Sequence, residues 1–285
     1  MDAYLIPVVD GFAYGLLLYV VAAGLTLAFG VADVLNLAHG TLYAIGAYTA
    51  AVLGDGTWTS LALAAGIGTV SAAAGGALVS AALIPLGDRG HLAQALLTFG
   101  ISLAGGALLV LAFGANDLRP VIPSTLDTSV FIAGHRYPAY RLAFLGIATL
   151  LAITAWLVIT RTRLGARVRA MVDDRDMLAC LGKSPRLLLT GVLAAGGALA
   201  GLAGVLGAPI IGPGPRTADA VLLLSLVIVV LGRLGSLGGA FLAAIAVGQV
   251  QSLGVAIAPN WAPYMLFAAM AIVLVARRPV LVGRR

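Results

Sequence analysis

Long apolar runs separated by short polar stretches make up the pattern of this chain. Most runs are close to the ~20 residues that an α-helix needs to cross a bilayer. The second, seventh and ninth are short. The pattern predicts an all-α, polytopic membrane domain over residues 1–285, with about nine spans (eight to ten) and discontinuous helices at Gly-rich breaks. The predicted spans are 8–30, 37–54, 59–84, 92–114, 141–160, 187–211, 218–232, 236–257 and 262–276. An eight-span alternative makes one short segment re-entrant.

Composition supports the membrane class. The chain is 61% hydrophobic and 10% charged, which lies outside the range of soluble domains. Its 37 glycines fall largely inside the apolar runs, as is common in membrane helices. The N-terminus has no Lys or Arg and no cleavage site, so we expect a first span rather than a cleaved signal peptide. A single cysteine, Cys180, excludes an intramolecular disulfide.

The basic residues predict the orientation. Loop 161–186 holds seven of them and the tail 277–285 holds four, and Lys and Arg concentrate in cytoplasmic loops. Four predicted spans separate the two segments, so both can be cytoplasmic. Counting back places the N-terminus outside. We therefore expect a multi-pass protein of the bacterial inner membrane, and we attribute the net charge of +6 to basic cytoplasmic loops rather than to nucleic-acid binding.

Two Gly-bounded breaks interrupt the apolar runs. The first, "GVADVLNLAHG" at 30–40, carries Asp33, Asn36 and His39 before Gly40. Too few ligands are present for a metal site, and no nucleophile turn accompanies the histidine. We expect Asn36 and His39 to hydrogen-bond backbone freed by the break, at the cytoplasmic side, and Asp33 to cap the helix that follows.

The second break, 232–239, contains Arg233 and Ser236. Discontinuous helices in corresponding positions of a transporter often mark its substrate path. Both breaks are candidates for a translocation path, and the alternative for each is an ordinary tight turn. Small residues at four-residue spacing, Gly197 with Gly201 and Gly11 with Gly15, predict close helix packing.

Two loops stand out. Loop 115–140 is expected to form an ordered external cap. In loop 161–186 the apolar residues Leu164, Val168, Met171, Val172, Leu178 and Leu181 can share one face of a short helix or helix pair. Gly182 is a plausible C-cap before Pro185. Such a helix suits docking to a cytoplasmic partner, or lying on lipid. "GKS" at 182–184 is no phosphate loop, because position 177 is Met.

The segment "GLTLAFGVADVLNLAHGTLYAIGAYTAA" at 24–51 resembles the signature of the LIV-type (branched-chain amino acid) ABC importer permeases. The loop resembles that family's coupling motif in part, with Asp176 at the acidic position and Gly182 at the glycine. Met177 and Leu178 replace the motif's two alanines. "GALAGLAGVL" at 197–206 and "VVLGRLGSLGGAFLAA" at 229–244 are also similar, so the resemblance covers about 24–257.

The resemblance implies a permease subunit without enzymatic activity or a cofactor of its own. It implies cytoplasmic ATPase subunits that bind ATP, a second permease chain (another copy or a homologue) and an extracytoplasmic binding protein. Branched-chain or other apolar amino acids would be the substrates, with urea and short amides as the alternative. The expected ATPase contacts are Gly165, Arg169, Asp176, Ala179 and Gly182.

Two other classes compete with this interpretation. An ion-coupled secondary transporter should carry acids or paired charges in mid-span, and these spans are nearly free of charge. An intramembrane enzyme should bring nucleophiles or metal ligands together from several spans, and the sequence indicates none.

Overall fold

A computed structural model describes residues 4–32, 34–86, 89–132, 135–173, 175–180, 182 and 184–276. Every predicted span contains a helix. The helices are α1 (Leu5–Ala32), α2 (His39–Leu53), α3 (Trp58–Leu83), α4 (Gly90–Phe113), α5 (Ala139–Arg161), α6 (Arg163–Asp173), α7 (Arg175–Cys180), α8 (Pro185–Gly207), α9 (Thr217–Gly232), α10 (Leu237–Ile257) and α11 (Ala262–Ala276). Among these described helices, six are long and apolar enough to cross a membrane. The all-α membrane class is confirmed, while the count of nine spans stays a prediction, since α2, α9 and α11 have only 15 or 16 residues.

Helix α1 runs through the centre of the bundle and contacts α8 and α10 along its length. Glycines make this close approach possible. A Cβ added to Gly15 would lie 2.8 Å from the carbonyl oxygen of Ala244 in α10. A Cβ on Gly201 of α8 would lie 2.6 Å from the carbonyl oxygen of Gly68 in α3. The predicted small-residue packing is therefore confirmed in both helices.

The two halves of the bundle share one order of elements. Helices α1 to α4 have 28, 15, 26 and 24 residues, and α8 to α11 have 23, 16, 21 and 15. Helix α3, the third helix of the first half, packs on α8, the first helix of the second half. In the same way α10, the third helix of the second half, packs on α1. Helices α1 and α8 are antiparallel, because Gly24 meets Gly196 while Leu17 meets Gly207. The halves thus form an inverted repeat.

This repeat corrects the pairing of the breaks suggested by the sequence. The segment 33–38 follows the first helix of its half, and its counterpart is 208–216 after α8, not the turn 233–236. The turn 233–236 corresponds instead to the turn 54–57. In both turns a glycine at positive φ, Gly56 or Gly235, precedes a hydroxyl N-cap, Thr57 or Ser236.

The loop 115–140 closes one end of the bundle, which we call the hairpin end. Its strands β1 (Ser129–Ile132) and β2 (His135–Pro138) form an antiparallel pair. The loop is tied down elsewhere, since the Leu118 amide donates to the Pro213 carbonyl at 2.9 Å and the Trp58 indole donates to the Thr125 hydroxyl at 2.9 Å. An ordered cap, rather than another span, is what the structure shows. Helices α6 and α7 lie at the opposite end, which we call the loop end.

Candidate translocation site

The first break reaches deep into the bundle. His39, the first residue of α2, places its Nε2 atom 2.9 Å from the carbonyl oxygen of Val21. Val21 lies eleven residues before Ala32, the last residue of α1, which is about 16 Å along the helix axis. Because a carbonyl can only accept, Nε2 carries the hydrogen. The chain therefore turns back along α1 before α2 begins, instead of breaking only at the cytoplasmic side as the sequence suggested.

Polar groups satisfy the non-helical backbone at this depth. The Asn36 side-chain oxygen accepts from the Ala38 amide at 3.1 Å, a bond of the kind the sequence predicts. The Thr98 hydroxyl of α4 accepts from the Leu37 amide at 3.2 Å and donates to the Leu35 carbonyl at 2.9 Å. Asn36, His39 and Thr98 are each at most 1% exposed. Irregular backbone inside a membrane protein is tolerated only when it is buried in this way or faces water.

A stripe of polar residues on α4 follows the break. Gln94, Thr98 and Ser102 are spaced by four residues, so they lie on one face of the helix, and all three are buried. The Ser102 hydroxyl lies 3.2 Å from the hydroxyl of Thr41 in α2. The sequence patterns described above did not predict a role for Thr41, Thr98 or Ser102. Three polar residues at helical spacing in the run "GHLAQALLTFGISLAG" were the available signal.

The predicted cap at Asp33 does not hold. The N-cap of α2 is Ala38, which makes no side-chain capping bond, and Asp33 itself lies outside the described residues. The helix starts later than expected because Asn36 and Thr98 hold residues 35–38 out of helical conformation. Position 40 has no room for a residue larger than glycine, since an added Cβ would lie 2.8 Å from the Cβ of Leu222 in α9.

The second break is a four-residue turn. The Ser236 hydroxyl caps α10 by accepting from the Gly239 amide at 3.1 Å. Arg233 is exposed and has φ +72°, and it is the one non-glycine residue with positive φ among those described. This turn nevertheless contacts the first break, because a Cβ on Gly30 would lie 2.8 Å from the Cα of Gly235.

The predicted helix pair in loop 161–186 is present as α6 and α7. Val168, Met171 and Leu178 are buried as expected, whereas Leu164 is 59% exposed. Leu164 differs because α6 begins only one residue earlier, at Arg163, where Gly165 rather than Leu164 turns towards the end of α5. The side chains of Val172 and Leu181 lie outside the described residues.

The buried faces of α6 and α7 join the hydrophobic cluster that contains the break. Val168, Met171 and Leu178 pack in one cluster with Val34 and Ala38 of the first break. Helix α1 adds Ala28 to that cluster, and helices α3 and α8 add Val79, Leu83, Leu189, Val192 and Leu193. The loop end and the break therefore share one hydrophobic cluster.

The five predicted ATPase contacts lie in different surroundings. Gly165 is buried against the Ile159 carbonyl at the end of α5, and the Arg169 guanidinium donates to that same carbonyl. Gly182 has φ +72° and its amide donates to the Ala179 carbonyl at 2.9 Å, so it ends α7 as predicted. Ala179 is exposed. Asp176 belongs to α7, but its side chain lies outside the described part of the chain.

Replacing Thr98 tests whether it holds the break. Thr98→Val keeps the shape of the side chain but removes both bonds to residues 35 and 37. We expect a loss of about 1–3 kcal/mol in stability, because buried backbone groups lose a partner. Thr154→Val is the matched control, since Thr154 is exposed on α5 and bonds only its own helix. Thermal unfolding in detergent measures both, and equal shifts would contradict the role of Thr98.

The geometry alone indicates a class of protein. A polytopic helical protein with inverted halves and a deep, discontinuous first helix hairpin is typical of membrane transporters. Within the residues that the structure describes, no group of three or more His, Cys, Asp or Glu could hold a metal ion.

Comparison with known proteins identifies the family. The family "Branched-chain amino acid transport system / permease component" matches residues 8–275, so the chain belongs to it. The chain is 26% identical to the high-affinity branched-chain amino acid transport system permease protein BraD of Pseudomonas aeruginosa, over 99% of this chain and 96% of BraD. It is also 26% identical to the permease protein LivH of Escherichia coli K12, over 96% and 94%.

The permease protein LivM of Escherichia coli K12 is 31% identical, over 79% of this chain and 58% of LivM. No solved structure matches the chain significantly.

Proposed function

We propose that this chain is the membrane-spanning permease subunit of an ABC importer for branched-chain or other apolar amino acids. Family membership supports the permease role, and similarity to the branched-chain amino acid permeases BraD, LivH and LivM supports the substrate class. ATP binds to separate cytoplasmic ATPase subunits, and an external binding protein delivers the solute. Similarity to both LivH and LivM is consistent with a pore completed by a second permease chain.

A hydrophobic cluster that α6, α7 and the first break share supports the coupling part of the proposal. Interiors of packed clusters transmit displacement, because their side chains have few voids to absorb it. A movement imposed on α6 and α7 by ATPase subunits is therefore transmitted through this cluster to Val34 and Ala38. In this proposal α6 and α7 are the coupling helices and the break belongs to the translocation path.

The orientation belongs to the same proposal. The hairpin end, with Asp10, Asp117 and Asp127, faces the outside and the binding protein. The loop end faces the cytoplasm, where the Arg residues of α6 meet the ATPase subunits and anionic lipid. The polar stripe of α4 then runs along the membrane normal beside the break, and Arg233 and Ser236 lie at the cytoplasmic turn that touches it.

Reconstitution into lipid vesicles tests the function. The permease is combined with its cognate ATPase subunits, second permease chain and binding protein, and uptake of labelled L-leucine is measured with and without ATP on the ATPase side. We expect uptake only with ATP and with all components present. Uptake by the permease chain alone, driven by a proton or sodium gradient and indifferent to ATP, would overturn the proposal in favour of a secondary transporter.

A further inference from the structure

Two grooves open at the hairpin end, and they differ in whether their charged side chains are paired with other protein groups. The first, of about 340 Å³, is lined by Asp10 and Arg141 among residues of α1 and α10 that include the polar Gln251 and Ser252. These two charges are paired with each other at 2.5 Å, and Asp10 also accepts from the Tyr137 phenol at 2.8 Å. Burial, and then this hydrogen bond, raise the pKa of Tyr137. The groups are already satisfied and fasten α1 to α5 and the hairpin.

The second groove lies between α4 and the start of α9, and its volume is about 450 Å³. Its apolar lining comes from Leu103, Ala107, Val110 and Leu111 of α4 and from Pro215 and Ala218. Two polar residues complete it, Asp219 and Ser102. Among the described residues, no hydrogen bond or ion pair engages the Asp219 carboxylate. The Asp219 side chain is exposed, so the groove offers an accessible negative charge beside an apolar surface.

The groove is continuous with the polar stripe of α4. Ser102, in its lining, contacts Thr41, and Thr98 one turn further along α4 holds the first break. Behind the groove, the Tyr48 phenol is 1% exposed, has no hydrogen-bond partner among the described residues, and packs in one cluster with Ala218. A solute leaving the groove towards the loop end would therefore meet polar groups rather than a closed apolar interior.

We infer that this groove, between α4 and α9, is a solute subsite in which the Asp219 carboxylate binds the ammonium group of an apolar amino acid while Leu103, Val110 and Leu111 contact its side chain. This inference rests on the proposed transport function and narrows its substrate class. A neutral amide or urea has no cation for Asp219 to bind, whereas an amino acid or an apolar amine has one. Charge-assisted hydrogen bonds of this kind are among the stronger polar contacts.

A binding experiment tests the subsite without requiring transport. In a Cys180→Ser background the chain has no other cysteine, so Leu103→Cys introduces one thiol in the groove. Its rate of modification by a methanethiosulfonate reagent is followed in detergent at millimolar ligand. The four probes share a branched apolar chain: L-leucine, isoamylamine, 4-methylvalerate and 4-methylvaleramide. The first two carry an ammonium group and the last two do not.

We expect L-leucine and isoamylamine to slow modification by ~5-fold or more when saturating, and the carboxylate and the amide to leave the rate unchanged. Asp219→Asn should abolish that protection. Asp127→Asn is the matched control, because Asp127 is an exposed acid at the same end that does not line the groove. Equal protection by all four probes, protection by none, or protection that survives Asp219→Asn would each overturn the subsite.

Uptake separates failure of the subsite from failure of the proposed function. In the reconstituted importer, Asp219→Asn should raise the KM for L-leucine ~10-fold or more, while Asp127→Asn should not change it. If wild-type protein shows ATP-dependent uptake and Asp219→Asn has the same KM, Asp219 only complements the dipole of α9 and the subsite is wrong. If wild-type protein shows no ATP-dependent uptake, the importer proposal fails, and the labelling result still decides the subsite.

Discussion

Gly201→Val should prevent this chain from forming a stable bundle. Gly201 of α8 lies where α2, α3 and α8 meet. A Cβ there would lie 2.6 Å from the carbonyl oxygen of Gly68, and a Cβ on Gly46 would lie 2.9 Å from the Cα of Gly201. The neighbours are backbone atoms and the Cβ of Ala72, none of which can move aside as the end of a flexible side chain can. We expect destabilisation at or above the upper end of the ~1–3 kcal/mol typical of overpacked cores.

Gly191→Val is the matched control for that substitution. Gly191 belongs to the same helix, is exposed, and has no atom within 4 Å of an added Cβ. Both variants bear the same intrinsic cost of placing a β-branched residue in a helix, so their difference isolates the packing contact. Size-exclusion profiles and thermal unfolding in detergent measure it. A Gly201→Val protein that elutes and unfolds like Gly191→Val would show that the helices do not approach so closely.

The helix positions could be predicted from the sequence because hydropathy and length report directly on spans. The pairing of the two halves could not, since the two breaks that the sequence marks with glycines at both ends, Gly30–Gly40 and Gly232–Gly239, are not counterparts. Only the packing of α3 on α8 and of α10 on α1 shows which segments correspond. The resemblance of the turns 54–57 and 233–236, each with a glycine followed by a hydroxyl N-cap, was visible in the sequence but was not identified.

The depth of the first break could not be predicted, because it depends on a long-range contact. His39 meets Val21 within the bundle, and Thr98 reaches residues 35 and 37 from a helix about sixty positions later. Local sequence indicates that backbone groups at the break need partners, and it identified Asn36 and His39 as candidates. It cannot say which distant hydroxyl supplies the others. The same limit applies to Arg233, whose left-handed backbone is not favoured by its residue type.

In loop 161–186, burial was predicted correctly where it follows helical periodicity, and incorrectly where a tertiary contact decides it. Val168, Met171 and Leu178 repeat at helical spacing and are buried. Gly165 and Arg169 were assigned from family resemblance to an ATPase contact. In the structure both engage the end of α5, so their first role is to hold α6 in place. Whether they also contact ATPase subunits stays a prediction.

Gly165→Val should disconnect the coupling helices from the bundle. An added Cβ would lie 2.5 Å from the carbonyl carbon of Ile159 and 2.6 Å from the carbonyl oxygen of Val158. Because these are backbone atoms of α5, α6 itself must move away. That movement withdraws Val168 and Met171 from the cluster that holds Val34 and Ala38.

The expected consequence is selective loss of coupling. In the reconstituted importer, ATP-dependent uptake should fall ~5- to 150-fold, the range spanned by coupling free energies of about 1–3 kcal/mol. The thermal stability of the bundle should fall less than uptake, since most of the packing among α1, α8 and α10 does not involve α6. Ala166→Val is the matched control, because Ala166 is the exposed neighbour on the same helix. Uptake by Gly165→Val equal to that of Ala166→Val would show that the docking of α6 on α5 does not carry the signal from ATP to the first break.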